Sequence, residues 1–141
     1  MSPKRAARPP VRVLLVDDSP WQREGWALLL GSQSDVEVVG QVGDGAQALA
    51  HLRTQQADVV LMDIQMPRVN GLVATGRILA DEQVLAFGPA PRIILVTSVD
   101  LDDHVAAAAQ AGAYALLYKD ADPEALFDVI RSAAHRTSVI E

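Results

Sequence analysis

Val11-Arg12-Val13-Leu14-Leu15-Val16-Asp17-Asp18 is a short, almost wholly apolar run that ends abruptly in two acids. A run this rich in β-branched residues reads as a strand buried on both faces of a parallel sheet. A second run, Val59-Val60-Leu61-Met62, ends in the same way at Asp63. In open α/β sheets the ligand site lies outside the carboxyl ends of the strands. If the two strands are neighbours, Asp17, Asp18 and Asp63 converge on one edge. Like charges so close repel one another and favour a hard cation.

Outward from these two runs the pattern repeats. Strand-like segments fall at 11–16, 36–42, 59–62, 93–97 and 115–118, and helix-like segments at 20–31, 45–56, 71–80, 102–111 and 123–134. Strict β-α alternation implies an α/β fold, a doubly wound parallel sheet of five strands with right-handed crossovers. Ser19 with Pro20, and Asp122 with Pro123, are N-terminal signals for the first and last helices. In the last helix Leu126, Val129, Ile130 and Ala133 form an apolar stripe. Residues 80–91 are long for a link between helix and strand, and Val84, Leu85 and Phe87 suggest an extra turn packed on the surface.

The chain has 141 residues, half of them apolar and 21% charged, which suits one domain with a substantial core. We divide it into a leader over 1–10, a domain over 11–135 and a tail, or the start of a linker, over 136–141. Cysteine is absent, which excludes disulfides, thiolate metal sites and cysteine nucleophiles. No stretch has the length of a membrane span or the form of a signal peptide, so a cytoplasmic location is expected. The net charge of −6 disfavours binding to nucleic acid or anionic membranes. Lys4, Arg5, Arg8 and Arg12 sit against that balance, and with Pro3, Pro9 and Pro10 the first segment reads as a disordered leader.

Candidate chemistry gathers at the strand ends. Asp17 and Asp18 also suit an acidic helix start that complements the helix dipole, but Asp63 after a second buried strand shifts the reading to a metal site. Asp63-Ile64-Gln65-Met66-Pro67 followed by Gly71 is an ordinary strand-to-helix loop in one reading. In the other, Asp63 is a nucleophile that forms an aspartyl phosphate, with Mg²⁺ holding the incoming phosphoryl group and the Gln65 backbone carbonyl completing the ion's shell. Thr97 and Ser98 end the fourth strand, and a hydroxyl there either caps the next helix or donates to a phosphoryl oxygen; Thr97 is the choice. Lys119 follows Ala115-Leu-Leu-Tyr118. The chain has ten arginines and two lysines, the other being Lys4, so a lysine in this place suggests a compact charge for a single phosphoryl oxygen. His51, His104 and His135 lack metal-ligand spacing and read as surface residues.

Taken together, Leu14-Leu-Val-Asp-Asp18, Asp58-Val-Val-Leu-Met-Asp63, Met66-Pro67 with Gly71, Thr97-Ser98 and Lys119 resemble the receiver domain of two-component response regulators over about residues 11–135. Arg23-Glu24-Gly25, Val36-Glu-Val-Val-Gly40 and Lys119-Asp120 are similar to its LuxR-type subfamily. The resemblance implies a flavodoxin-like sheet ordered 2-1-3-4-5, with helices one and five on one face and two to four on the other. It makes Asp63 the phosphoacceptor, Asp17 and Asp18 the Mg²⁺-binding acids, and Thr97 and Lys119 the phosphoryl contacts. It also implies a cis bond between Lys119 and Asp120, a sensor histidine kinase or phosphotransfer protein as donor, and a homodimer through helices one and five.

Two features depart from the family pattern. Leu116 stands where an aromatic switch residue is usual; Tyr114 and Tyr118 flank it, and a two-residue offset in a strand keeps the face while shifting the position along it. No helix-turn-helix output module follows the fifth helix, so the chain reads as a stand-alone receiver or a fragment of a transcription regulator. The alternatives are a constitutive interaction module with an unused pocket, and an aspartyl-nucleophile phosphatase, which Gln65 in place of a second acid and the lack of a cap domain oppose.

Overall fold

The computed structural model describes residues 9–98 and 101–135, leaving the leader up to residue 8 and the tail from 136 outside the described residues. Its elements run β1 (Val11–Val16), α1 (Pro20–Gly31), β2 (Val36–Val42), α2 (Gly45–Leu52), β3 (Val59–Asp63), α3 (Gly71–Ala80), α4 (Glu82–Phe87), β4 (Arg92–Thr97), α5 (Val105–Ala111), β5 (Ala115–Tyr118) and α6 (Pro123–His135). The strands form one parallel sheet in the order β2-β1-β3-β4-β5. β1 and β3 are therefore neighbours, as the convergence of the three acids requires.

The central strands are buried on both faces because every second side chain enters a different layer. Val13, Leu15, Leu61, Ile94 and Val96 pack against Trp26 and Leu30 of α1 and Leu126, Phe127 and Ile130 of α6. Leu14, Val16, Val60, Met62, Ile93 and Leu95 pack against Ala48 and Leu52 of α2, Ala74 and Ile78 of α3, Val84 of α4 and Ala108 of α5. The expected division of helices between the faces holds, with α6 as the fifth helix of the sequence reading. No described helix is long and apolar enough to cross a membrane.

One local expectation is extended and three need correction. The extra turn after Ala80 is the six-residue helix α4; Asp81 caps it through Val84 N–H at 3.0 Å, and Val84 is buried while Leu85 and Phe87 stay exposed. Helix α2 stops at Leu52 rather than 56, because the Thr54 and Gln55 amides both fold back onto the His51 carbonyl. Residues Leu101–Asp103 form a 3-10 turn, and α5 starts only at Val105. All described peptide bonds are trans, including Lys119–Asp120, where the Ala121 amide closes a turn onto the Tyr118 carbonyl.

Candidate functional site

The β1 and β3 ends carry the acids to one point. Asp63 is the last residue of β3, paired in register with Val96 of β4, and is almost completely buried. Its main chain is held by the next loop: Gly71 N–H donates to the Ile64 carbonyl at 2.9 Å. A Cβ at Gly71 would lie 2.4 Å from the Asp63 carbonyl oxygen, so no other residue lets the loop close so tightly. Asp17, fully buried, and Asp18, exposed, follow β1. Ligand oxygens of the three carboxylates lie within 4.8 Å of one another.

Lys119 enters from the end of β5, its amide donating to the Thr97 carbonyl at 2.9 Å. Its Nζ is 3.1 Å from Asp63 Oδ2 and 3.1 Å from Asp17 Oδ2. One ammonium against three carboxylates leaves an uncompensated double negative charge. Burial pushes the Asp63 carboxyl above the usual carboxylate range; Lys119 works against that, and the Asp17 charge adds to it. Burial alone would lower Lys119, but hydrogen bonding to Asp63 and Asp17 and the attraction of their charges hold it above its ordinary value. Asp17 Oδ2 is buried 3.1 Å from Nζ, in an ion pair that it shares with Asp63. Two buried carboxylates that share one ammonium, beside a third acid, are a donor set that a small hard dication satisfies, and the cluster is compatible with Mg²⁺.

The remaining predicted residues surround this centre. Asp17 Oδ1 accepts from the Ser19 amide at 2.8 Å, and Asp63 Oδ1 accepts from the Gln65 amide at 3.1 Å. Thr97 is fully buried at the tip of β4, and its hydroxyl donates to Gln65 Oε1 at 3.2 Å. Leu116 is half-buried in β5, paired with Leu95 and packed into the α2–α5 layer. Tyr114 does not share its face. It precedes β5, packs in the opposite layer and bonds Ser132 of α6 at 2.6 Å, because two-residue periodicity holds only within a strand.

Three participants were not foreseen. Arg23 reaches back from α1 to donate to the Asp17 carbonyl at 2.6 Å, which fixes the main chain of the acid pair. The Gln65 side chain, rather than its carbonyl alone, contacts Thr97. His104 is half-buried beside the site, with Nε2 3.4 Å from Gln65 Nε2. His51 also departs from the surface reading: it covers Gly40, whose added Cβ would meet the ring at 2.6 Å, and its Nδ1 is buried. Arg23 was legible as a first-turn cation facing the acids, whereas His104 left no local signal.

A family model described as response regulator receiver domain matches residues 13–131, most of the chain. The chain belongs to that family. Relatives of this receiver domain include the transcriptional regulatory protein YxjL of Bacillus subtilis, 36% identical over 92% of this chain and 56% of the relative. The nitrate/nitrite response regulator NarP of Escherichia coli is also 36% identical, over 92% of this chain and 58% of its own length. The receiver thus spans just over half the length of these curated relatives. Among solved structures, the signal receiver domain of the putative response regulator NarL from Mycobacterium tuberculosis superposes with a TM-score of 0.74 at 31% identity, covering 88% of this chain and 98% of that one. The response regulator domain of Thermotoga maritima CheB gives 0.77 at 29% identity, covering 89% and 96%.

Proposed function

We propose that this receiver takes a phosphoryl group from a phosphohistidine onto Asp63, with Mg²⁺ held by Asp17, Asp18, Asp63 and the Gln65 backbone carbonyl. The observation that carries the reading is the buried Asp63 carboxylate, raised in pKa and shared by Lys119 with Asp17. In the transfer the donor's P–N bond breaks, its electron pair leaves with the imidazole nitrogen, and a P–O bond forms to an Asp63 oxygen. The imidazole then takes up a proton from solvent. The ion, when bound, offsets charge on the carboxylates and the phosphoryl oxygens. Lys119 follows the charge from carboxylate to phosphoryl oxygen, and the Thr97 hydroxyl donates to a second oxygen.

The donor partner is a sensor histidine kinase or phosphotransfer protein, and the output is a change of surface that alters homodimerisation or partner binding. Trp21 and Leu28, seven residues apart on α1, are 88% and 73% exposed and support a dimer face made with α6. In a longer chain the same change would govern a transcription output.

Incubation with acetyl phosphate and Mg²⁺, followed by intact mass measurement, tests the reading. Wild type gains one phosphoryl group, and neither Asp63→Asn nor metal-depleted wild type does. Equal gain in Asp63→Asn overturns the assignment. No gain in wild type favours the constitutive module.

A further inference from the structure

The Gln65 amide uses both of its polar atoms. Its Oε1 accepts from Thr97 and its Nε2 lies 3.4 Å from His104 Nε2. With the His104 proton on Nδ1, the amide donates and the ring accepts, so both contacts form in one amide orientation. They join residues 32 and 39 positions apart in the chain: the phosphoacceptor loop, the tip of β4 and the entry to α5. Gln65 is exposed, so water competes for its amide and the tie is weak enough to open. The His104 carbonyl accepts the Ala108 amide at 2.8 Å, at the start of α5, and the His104 side chain makes no capping hydrogen bond to that helix. Whatever fixes His104 therefore fixes the first turn of α5.

We propose that Gln65 is a resting-state latch that ties the Thr97 hydroxyl to the His104 ring, and that phosphorylation of Asp63 opens it by drawing the hydroxyl to a phosphoryl oxygen. A charged phosphoryl oxygen is the stronger acceptor for the single hydroxyl proton. Once Thr97 leaves, the long Gln65–His104 contact stands alone and the entry to α5 is released. The signal thus travels from Asp63 to the α5 face without a rotating aromatic ring, which Leu116 does not supply. Gln65 and His104 are positioning residues in this scheme, and the proposal rests on the phosphoacceptor reading above.

The test combines amide exchange at Ala108, read by NMR, with intact mass, on wild type, Gln65→Ala, the length-preserving Gln65→Met, and His104→Ala. Without phosphodonor, Ala108 exchanges about two- to tenfold faster in all three variants, the effect of losing one hydrogen bond. With acetyl phosphate and Mg²⁺, wild type rises to the same exchange rate and the variants change no further. Both Gln65 variants take up the phosphoryl group about two- to tenfold faster, because the Gln65 tie on the Thr97 hydroxyl is gone; His104→Ala loosens Ala108 without that gain, which general damage to the fold would not produce. Equal Ala108 exchange in unphosphorylated wild type and both Gln65 variants overturns the latch, as does a phosphorylated wild type with unaltered Ala108. A wild type that gains no mass sinks the phosphoacceptor reading, while the comparison without donor still decides the tether.

Discussion

Asp58 and Asp63 bracket the same strand, and their environments drive them in opposite directions. Asp58, just before β3, is paired with Arg12: its carboxylate accepts the Arg12 amide at 2.8 Å and the guanidinium at 3.0 and 3.3 Å. Burial pushes Asp58 up, but the Arg12 hydrogen bonds and charge outweigh it and leave the group below the ordinary range. Asp63 is deeper and has only a share in Lys119, so burial wins. One end of the strand is a settled ion pair and the other is held short of positive charge. The lesson is that a carboxylate's role follows from how many acids share each cation, not from carboxylates and cations being close.

The largest effect that separates the two ends is on phosphoryl uptake. Lys119→Ala slows the acetyl phosphate reaction about a hundredfold or more, the scale of losing one donor to a developing oxyanion. Arg12→Ala, at the opposite edge, leaves the rate unchanged. Time-resolved intact mass measures both, and equal losses would erase the distinction.

Next in size is the response to the metal. At a hundredfold excess over its Kd, Mg²⁺ stabilises a folded chain by about 2.7 kcal/mol. Urea midpoints with and without the ion show that gain in wild type and Asp58→Asn, and lose it in Asp17→Asn. A gain retained in Asp17→Asn would remove that acid from the site.

These expectations draw on features of uneven legibility. Strand ends, acids, Thr97 and Lys119 were readable because buried apolar runs mark where each strand stops, and the β-α alternation puts those stops on one edge. Helix α4 was only half readable: a single buried residue, Val84, gives no amphipathic stripe to detect. The Gln65–His104 contact and the His51 ring over Gly40 left no trace, because each depends on how two elements approach in space. Tyr114 misled for a related reason, since its face depends on whether it lies inside the strand.

Smaller effects concern the metal-free fold. Asp63→Asn stabilises it by about 1–3 kcal/mol, by removing a buried charge that is incompletely compensated. Asp58→Asn destabilises it by less than about 1 kcal/mol, since water screens a pair whose side chains are 41% and 36% exposed. Urea unfolding at neutral pH, with chelator present, gives both signs.

The smallest effect is the pH dependence of those two terms. The Asp63 pKa lies above its unfolded value near 3.8, so its relative stabilisation is full below that pH and fades as pH rises through the folded pKa. Asp58 behaves oppositely, stabilising above its unfolded value and ceasing to do so as pH falls through its lowered pKa. Carboxyl NMR titration without metal should place the Asp63 midpoint above 3.8 and the Asp58 midpoint below it. The reverse order would contradict the comparison.

Borohydride reduction of the phosphorylated chain, followed by peptide mapping, locates the acyl phosphate directly. Reduction at Asp63 alone, lost when Mg²⁺ is withheld, is the predicted result. A label on Asp58, Asp17 or Asp18, or one that forms equally without the ion, would contradict the account.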